Sequence, residues 1–139
     1  MNIRIIAVGK LRKTYIAEGV KDYVKRLSHY TNIEIIEATE SSIEKLLREK
    51  TFNVILDRCG KEMDSIAFAN FVKEKLVYSS KDLAFFIGGA DGFGEETLKR
   101  ADYLLSFSNM TFPHEIARLL ILEQIYRAFT IIGNEKYHR

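Results

Sequence analysis

Apolar positions along the chain follow two alternating periods. Runs rich in β-branched and aromatic residues fall at Ile3–Val8, Ile33–Ile36, Asn53–Asp57, Leu83–Ile87 and Tyr103–Ser106, each with the length and composition of a strand. Between them the apolar positions recur every three or four residues. Ile16, Val20, Tyr23 and Leu27 do so within Thr14–Leu27, and Phe68, Val72 and Leu76 do so in the stretch from Asp64 to about Tyr78, which is the spacing of one helical face. Asp64 is of the residue type that caps a helix N-terminus. Ser41 followed three residues later by Glu44 resembles a capping box and opens a short helix with Ile43, Leu46 and Leu47 on one face. Cys59 and Gly60 close the third strand, and a helix runs from Glu95 to about Ala101. The last long helix begins at Pro113, whose fixed φ and missing N–H suit a first helical position, and stops before Gly133 and Asn134.

Strand followed by helix, repeated, predicts an α/β fold with a mostly parallel sheet flanked by helices. The nearly all-apolar Leu83–Ile87 reads as a central strand buried on both faces. No internal repeat, low-complexity run or Pro/Gly/Ser-rich linker interrupts the 139 residues, so residues 1–139 read as a single domain. Ile116, Leu119, Leu120, Leu122, Ile125, Phe129 and Ile132 are spread around more than one face of the last helix. That distribution is expected if the helix packs on its own sheet and on a second copy, making a homodimer.

Composition narrows the classes. Hydrophobic residues make up 47% and charged residues 29%, with one proline, which disfavours a disordered or fibrous chain. Cys59 is the only cysteine, and His29, His114 and His138 are dispersed, so neither a disulfide framework nor a local metal site is expected. The apolar stretch that ends at Gly9 is too short for a signal core or a membrane span, and a cytoplasmic protein with no membrane association is expected. Net charge is only +2, so any affinity for nucleic acid would rest on local patches. Three groupings qualify: Lys10, Arg12 and Lys13; Lys21, Lys25 and Arg26; and Lys136, His138 and Arg139. Each is by default a solvated face or a terminus.

Ligands of open α/β sheets sit beyond the carboxyl ends of the strands, which directs attention to the loops after Asp57, Ile87 and Ser106. The loop Gly88–Gly94 holds four of the chain's eight glycines. It matches neither the dinucleotide glycine fingerprint nor the phosphate loop with its lysine, so a nucleotide triphosphatase is disfavoured. By itself the loop reads equally well as a ligand cradle or as a tight turn. Ser106–His114 alternates small polar with apolar residues. Its backbone and hydroxyls could specify a cofactor while Phe107, Met110 and Phe112 pack against it, although the plainer reading is a packed connection. His114 is a candidate general base, yet a lone histidine is most often a hydrogen-bonded structural residue. No G-x-S-x-G elbow supports a hydrolase triad.

The segments "IRIIAVGKLRKTY", "VILDRCGK", "FFIGGADGFG", "LSFSNMTFPHEIARLLILEQIYRAF" and the terminal "YHR" together resemble the RlmH family of SPOUT 23S ribosomal RNA pseudouridine N3-methyltransferases, over the whole chain and in order. The resemblance implies a minimal SPOUT domain with a C-terminal trefoil knot, a feature that general topology rules treat as very rare. It also implies a homodimer, S-adenosyl-L-methionine as cofactor and ribosomal RNA in the assembled ribosome as substrate. Carried over by position, the cofactor pocket is Leu56, Gly88 and the run Phe107, Ser108, Asn109, Met110, Thr111 and Phe112. The terminal Tyr137, His138 and Arg139 are the catalytic residues, reaching the partner subunit's site. In that role Tyr137 suits stacking on a base, His138 either donates or accepts a proton, and Arg139 favours a deprotonated ring. With no aliphatic run, the tail is expected to add little to the fold. The segment between the second and third strands is shorter here than in some members. Two readings compete: a non-catalytic, flavodoxin-like module that binds a nucleotide or a partner, and a Rossmann-type methyltransferase. The latter would want its glycine motif after the first strand, where only Gly9 stands.

Overall fold

Five parallel strands form one sheet: β1 (Asn2–Val8), β2 (Asn32–Ala38), β3 (Thr51–Glu62), β4 (Asp82–Ile87) and β5 (Tyr103–Ser106), in the order β2-β1-β4-β3-β5. The computed structural model describes residues 2–79 and 81–138. Helices α1 (Thr14–Leu27), α2 (Ser65–Tyr78), α3 (Glu95–Lys99) and α4 (His114–Ile132) flank the sheet, with a 3₁₀ turn at Ile43–Leu46. No described helix is long and apolar enough to cross a membrane.

Alternation along the strands divides the core in two. Ile3, Ile5 and Ala7 of β1, with Leu83, Phe85 and Ile87 of β4, face α1, α2 and α4. Ile6, Ile55, Ala84 and Phe86 face the 3₁₀ turn and, through Leu98, α3. Successive side chains of a strand point to opposite faces, so a central strand must be apolar at every position. β4 meets that requirement, with Leu83–Phe85 fully buried and Phe86 and Ile87 nearly so. On the thicker side α4 packs across α1 and α2 through Ile121, Leu122 and Ile125, all fully buried. Gly19 lets α1 come close to α4: a Cβ there would stand 3.0 Å from Leu119 Cδ1.

The two periods locate every element, and the differences lie at the ends. Asp64 caps α2, accepting a hydrogen bond from the Ala67 amide at 2.7 Å. The capping box at Ser41 and Glu44 does not form. Ser42 takes the N-cap position, and Glu44 instead accepts the Thr97 hydroxyl, a tertiary partner that outcompetes the local one. Pro113 precedes the first turn of α4 as its N-cap, with extended ψ of 145°. α3 ends at Lys99. α4 ends before Gly133 as predicted, but the left-handed residue of the stop is Asn134 (φ 56°).

The largest difference is in β3. Cys59 and Gly60 do not close the strand. It leaves the ladder after Leu56 and returns at Lys61, so that Leu105 of β5 is opposite both Leu56 and Lys61. The return presses Gly60 against β5, where a Cβ would lie 2.6 Å from the Leu104 carbonyl carbon and oxygen. Only glycine permits that approach.

Candidate functional site

The excursion from β3, the loop after β4 and the loop after β5 converge at the carboxyl ends of the central strands, where parallel α/β sheets place their ligands. Between them lies a cavity of about 500 Å³, within the size range of small-molecule sites. Leu56, Asp57 and Arg58 form one wall, and Ile87 through Gly92 a second. Phe107, Ser108 and Met110 to Phe112 form the third, and His114 and Ala117 of α4 complete it.

Local chemistry shapes each wall. The glycine loop turns through Gly92 (φ 67°), whose amide bonds the Gly89 carbonyl at 3.0 Å. At Gly88 a Cβ would stand 3.1 Å from the Phe93 ring and 3.2 Å from the Gly92 backbone, so glycine there is set by the closeness of the turn. After β5, the Ser106 hydroxyl donates to the Ser108 carbonyl (2.9 Å) and the Ser108 hydroxyl accepts from the Met110 amide (3.1 Å). These two bonds wrap the segment, and Met110 and Phe112 stay exposed. The Asp57 carboxylate accepts the Cys59 amide at 3.0 Å and so shapes the excursion.

Next to the lining residues His114 and Ala117, α4 is anchored by polar contacts, one set part-buried and the other exposed. Arg118, 1% exposed, donates to Glu37 (2.8 Å) and to the Gly9 carbonyl (3.1 Å). Its guanidinium bonds hold the Glu37 carboxyl below the usual carboxylate range. One oxygen of Glu115 accepts the amides of Arg12 and Lys13 at 2.7 and 2.9 Å. The Lys13 bond is the main reason its carboxyl is lowered too. Both contacts tie the β1–α1 loop to the first turns of α4. The His114 ring lies beside Gly9, and its Nδ1 is buried with no hydrogen-bond partner among the described residues.

Leu56, Gly88, Phe107, Ser108, Met110, Thr111 and Phe112 all line this one cavity, whereas Asn109 does not. Sequence reasoning missed Asp57, Arg58, Ala117 and Arg118. The first two directly follow a predicted pocket residue, but nothing local marks the α4 pair. A second hollow of about 410 Å³ lies next to the first, sharing Phe107 and Phe112 and running between α2 and α4 past Phe68 and Leu120.

Neither Tyr137 nor His138 lines the cavity of its own chain, and Arg139 lies outside the described residues. Nor is Tyr137 part of a loose tail. Its ring meets Tyr126 edge-on at 4.8 Å, its hydroxyl is 3.0 Å from that of Tyr23, and the Arg127 guanidinium covers it at 5.0 Å. Burial and the Tyr23 bond push its phenol up. The expectation of a tail that adds little to the fold is therefore corrected. An aromatic ring needs no aliphatic neighbours in sequence to find packing in space. Among the basic groupings, Arg26 pairs with Asp22 and lies over the Tyr23 and Tyr126 rings. Among the described residues no cluster of histidine, cysteine and carboxylate groups is arranged to hold a metal ion.

A family model described as predicted SPOUT methyltransferase matches residues 1–138. Over the whole of both chains, the protein is 47% identical to ribosomal RNA large subunit methyltransferase H of Coprothermobacter proteolyticus. It is 41% identical to the same-named protein of Carboxydothermus hydrogenoformans, again over the whole of both chains. That alignment spans 159 positions, so this relative carries residues that the 139-residue chain lacks. In fold the protein is similar to a methylase-family protein of Haemophilus influenzae (TM-score 0.59, 16% identity, 99% of this chain and 70% of that one). It is also similar to a Legionella pneumophila protein described as a methyltransferase and solved with SAM bound (TM-score 0.50, 12% identity, 93% of this chain and 66% of that one). With the family model spanning the chain and its relatives aligned end to end, the protein belongs to the SPOUT methyltransferases, in the family of ribosomal RNA large subunit methyltransferase H.

Proposed function

We propose that the protein uses S-adenosyl-L-methionine to methylate N3 of a pseudouridine in 23S ribosomal RNA, at the position conventionally numbered 1915. In this reading it acts as a cytoplasmic homodimer of single-domain chains on the assembled ribosome. The observation that carries the cofactor site is the gathering of Leu56, Gly88, Phe107, Ser108, Met110, Thr111 and Phe112 around one cavity. The bound cofactor supplies a methyl group already activated on a sulfonium. The glycine loop offers backbone groups to its polar ends, Leu56, Phe107 and Phe112 exclude water, and the Asp57 and Asp91 carboxylates in the lining suit a positive sulfur. In this reading the C-terminal half, which supplies two of the three loops at the pocket, forms a trefoil knot.

For the rest, the work of the chain is alignment and stabilisation of the base as its N3 loses a proton. Tyr137, His138 and Arg139 take that part from the partner subunit in this reading. Its support is that Tyr137 and His138 do not line their own cavity. Dimerisation has support in the exposed Met110 and Phe112 at the cavity and the exposed Ile66 on α2. With a net charge of +2 over these residues, the dimer depends on the ribosome to present the target loop, so free RNA is a poor substrate.

The test is methyl transfer from labelled cofactor to ribosomes lacking the modification, paired with calorimetric binding of S-adenosyl-L-methionine. Gly88→Val and a chain truncated before Tyr137 are each inactive alone, and activity returns when they are co-expressed and form mixed dimers. A truncated chain as active as the full one refutes the catalytic tail. An active monomer by light scattering refutes the shared site.

A further inference from the structure

Arg127 meets the tail through a contact that the reaction as proposed does not use. It lies on α4 one turn after Glu123, whose Oε1 accepts its Nε at 2.9 Å and also its Nη2. The Gln124 amide holds the other oxygen of Glu123 at 3.0 Å. Clamped in this way, and three-quarters buried, the guanidinium turns its remaining Nη1 to His138 Nδ1 at 3.0 Å. A guanidinium only donates, so Nδ1 must accept. An imidazole that accepts at Nδ1 and is neutral carries its single proton on Nε2.

The chain just before His138 is equally fixed. The Tyr137 hydroxyl donates to Glu123 Oε1 (3.3 Å), and since a carboxylate only accepts, the hydroxyl shared at 3.0 Å must be donated by Tyr23. Upstream, Tyr30 donates to Glu135 (2.6 Å), the Glu135 amide bonds the Thr130 carbonyl (2.8 Å), and Asn134 takes the left-handed turn. Every residue from Asn134 to His138 except Lys136 is therefore held by a bond or a backbone conformation.

We propose that Arg127 is a positioning residue that holds His138 as the Nε2–H tautomer, so that the tail offers the substrate an N–H donor and not a base. This rests on the catalytic reading of the tail. In a pseudouridine N3 is flanked by two carbonyl oxygens, and a donor placed on one of them favours the ring that has lost its N3 proton. His138 supplies that donor, and the proton of N3 leaves to solvent water, so that the N3 lone pair is free to take the methyl group.

The experiment is long-range proton–nitrogen correlation on the full-length protein labelled with ¹⁵N-histidine at pH 8. The three ring systems are assigned by loss of the His138→Ala signal. His138 should show a protonated Nε2 and an unprotonated, hydrogen-bonded Nδ1. Arg127→Lys, which still only donates, should keep that pattern, Arg127→Met should give a mixture of tautomers, and Arg127→Glu, which puts an acceptor beside Nδ1, should invert it. A wild-type ring protonated on Nδ1, or a pattern unmoved in both Arg127→Met and Arg127→Glu, overturns the proposal. On ribosomes, Arg127→Met and His138→Ala should each lower kcat about a hundredfold with cofactor affinity unchanged, and the double variant should fall no further. If His138→Ala keeps full activity, the catalytic reading of the tail fails, while the spectra decide the tautomer separately.

Discussion

Gly60 and Gly94 offer a matched pair of glycine-to-alanine substitutions with opposite expectations. At Gly60 the added methyl would lie 2.6 Å from both the carbon and the oxygen of the Leu104 carbonyl and 2.9 Å from the Leu105 nitrogen. Ordinary contact begins at 3.4 Å, so the overlap is 0.8 Å against atoms that belong to a strand backbone. No rotamer can relieve it. Either β5 moves away or the return of β3 at Lys61 and Glu62 loses its pairing with Leu105 and Ser106. Overpacking of this kind costs about 3 kcal/mol, which in a chain of this size lowers Tm by roughly 10 °C. At Gly94 no described atom beyond its chain neighbours lies within 4 Å of the new methyl and φ is an ordinary −71°, so Gly94→Ala should stay within about 0.5 kcal/mol of the parent. Scanning calorimetry of the three proteins measures the difference. Because Leu56, Asp57 and Arg58 begin the same excursion and line the cavity, Gly60→Ala should also weaken S-adenosyl-L-methionine in calorimetric titration, and Gly94→Ala should not. Equal melting temperatures for the two variants would refute the packing argument. A strong Tm loss with unchanged cofactor affinity would separate the excursion from the pocket.

Other outcomes follow from the site. Gly88→Val brings branched methyls against Phe93 and the Gly92 backbone and should weaken cofactor binding at least a hundredfold while circular dichroism stays that of the parent; unchanged affinity removes the glycine loop from the site. Arg118→Met removes both the Glu37 bond and the bond to the Gly9 carbonyl. Because Glu37 is 40% exposed and can be rehydrated, the cost should be nearer 2 kcal/mol than the full cost of a broken buried pair, and a denaturation midpoint within error of the parent would deny the anchor. The carboxyls of Glu37 and Glu115 are lowered in the folded protein. Their contribution is therefore complete above the ordinary glutamate range and is lost as pH falls through their folded values. Below the ordinary glutamate value of about 4.5 the parent should lose Tm more steeply than a Glu37→Gln/Glu115→Gln variant, and parallel profiles would show that the two anchors do not titrate as described.

The sequence alone determined the elements and the fold class. The two apolar periods place α1 at Thr14–Leu27 and β5 at Tyr103–Ser106, and the unbroken apolar run of β4 marks a strand covered on both faces. These signals are local, since each depends on which face of one element must avoid water. The pocket was legible only in part. The glycine loop and the segment after β5 had plainer readings of their own, and it was the family likeness that singled them out. Tertiary structure decided the rest, because the deciding contacts join residues far apart in the chain. Gly60 looks like a strand end until β5 lies against it. Glu44 looks like a capping residue until Thr97 takes its carboxylate. Arg118, a charged residue in a helix, becomes buried only when Glu37 and the Gly9 carbonyl meet it from 81 and 109 residues away. Tyr137, read from sequence as part of a loose end, is held by Tyr23, Glu123, Tyr126 and Arg127. No period or propensity encodes such pairings, since they exist only once the sheet has fixed which helices are neighbours.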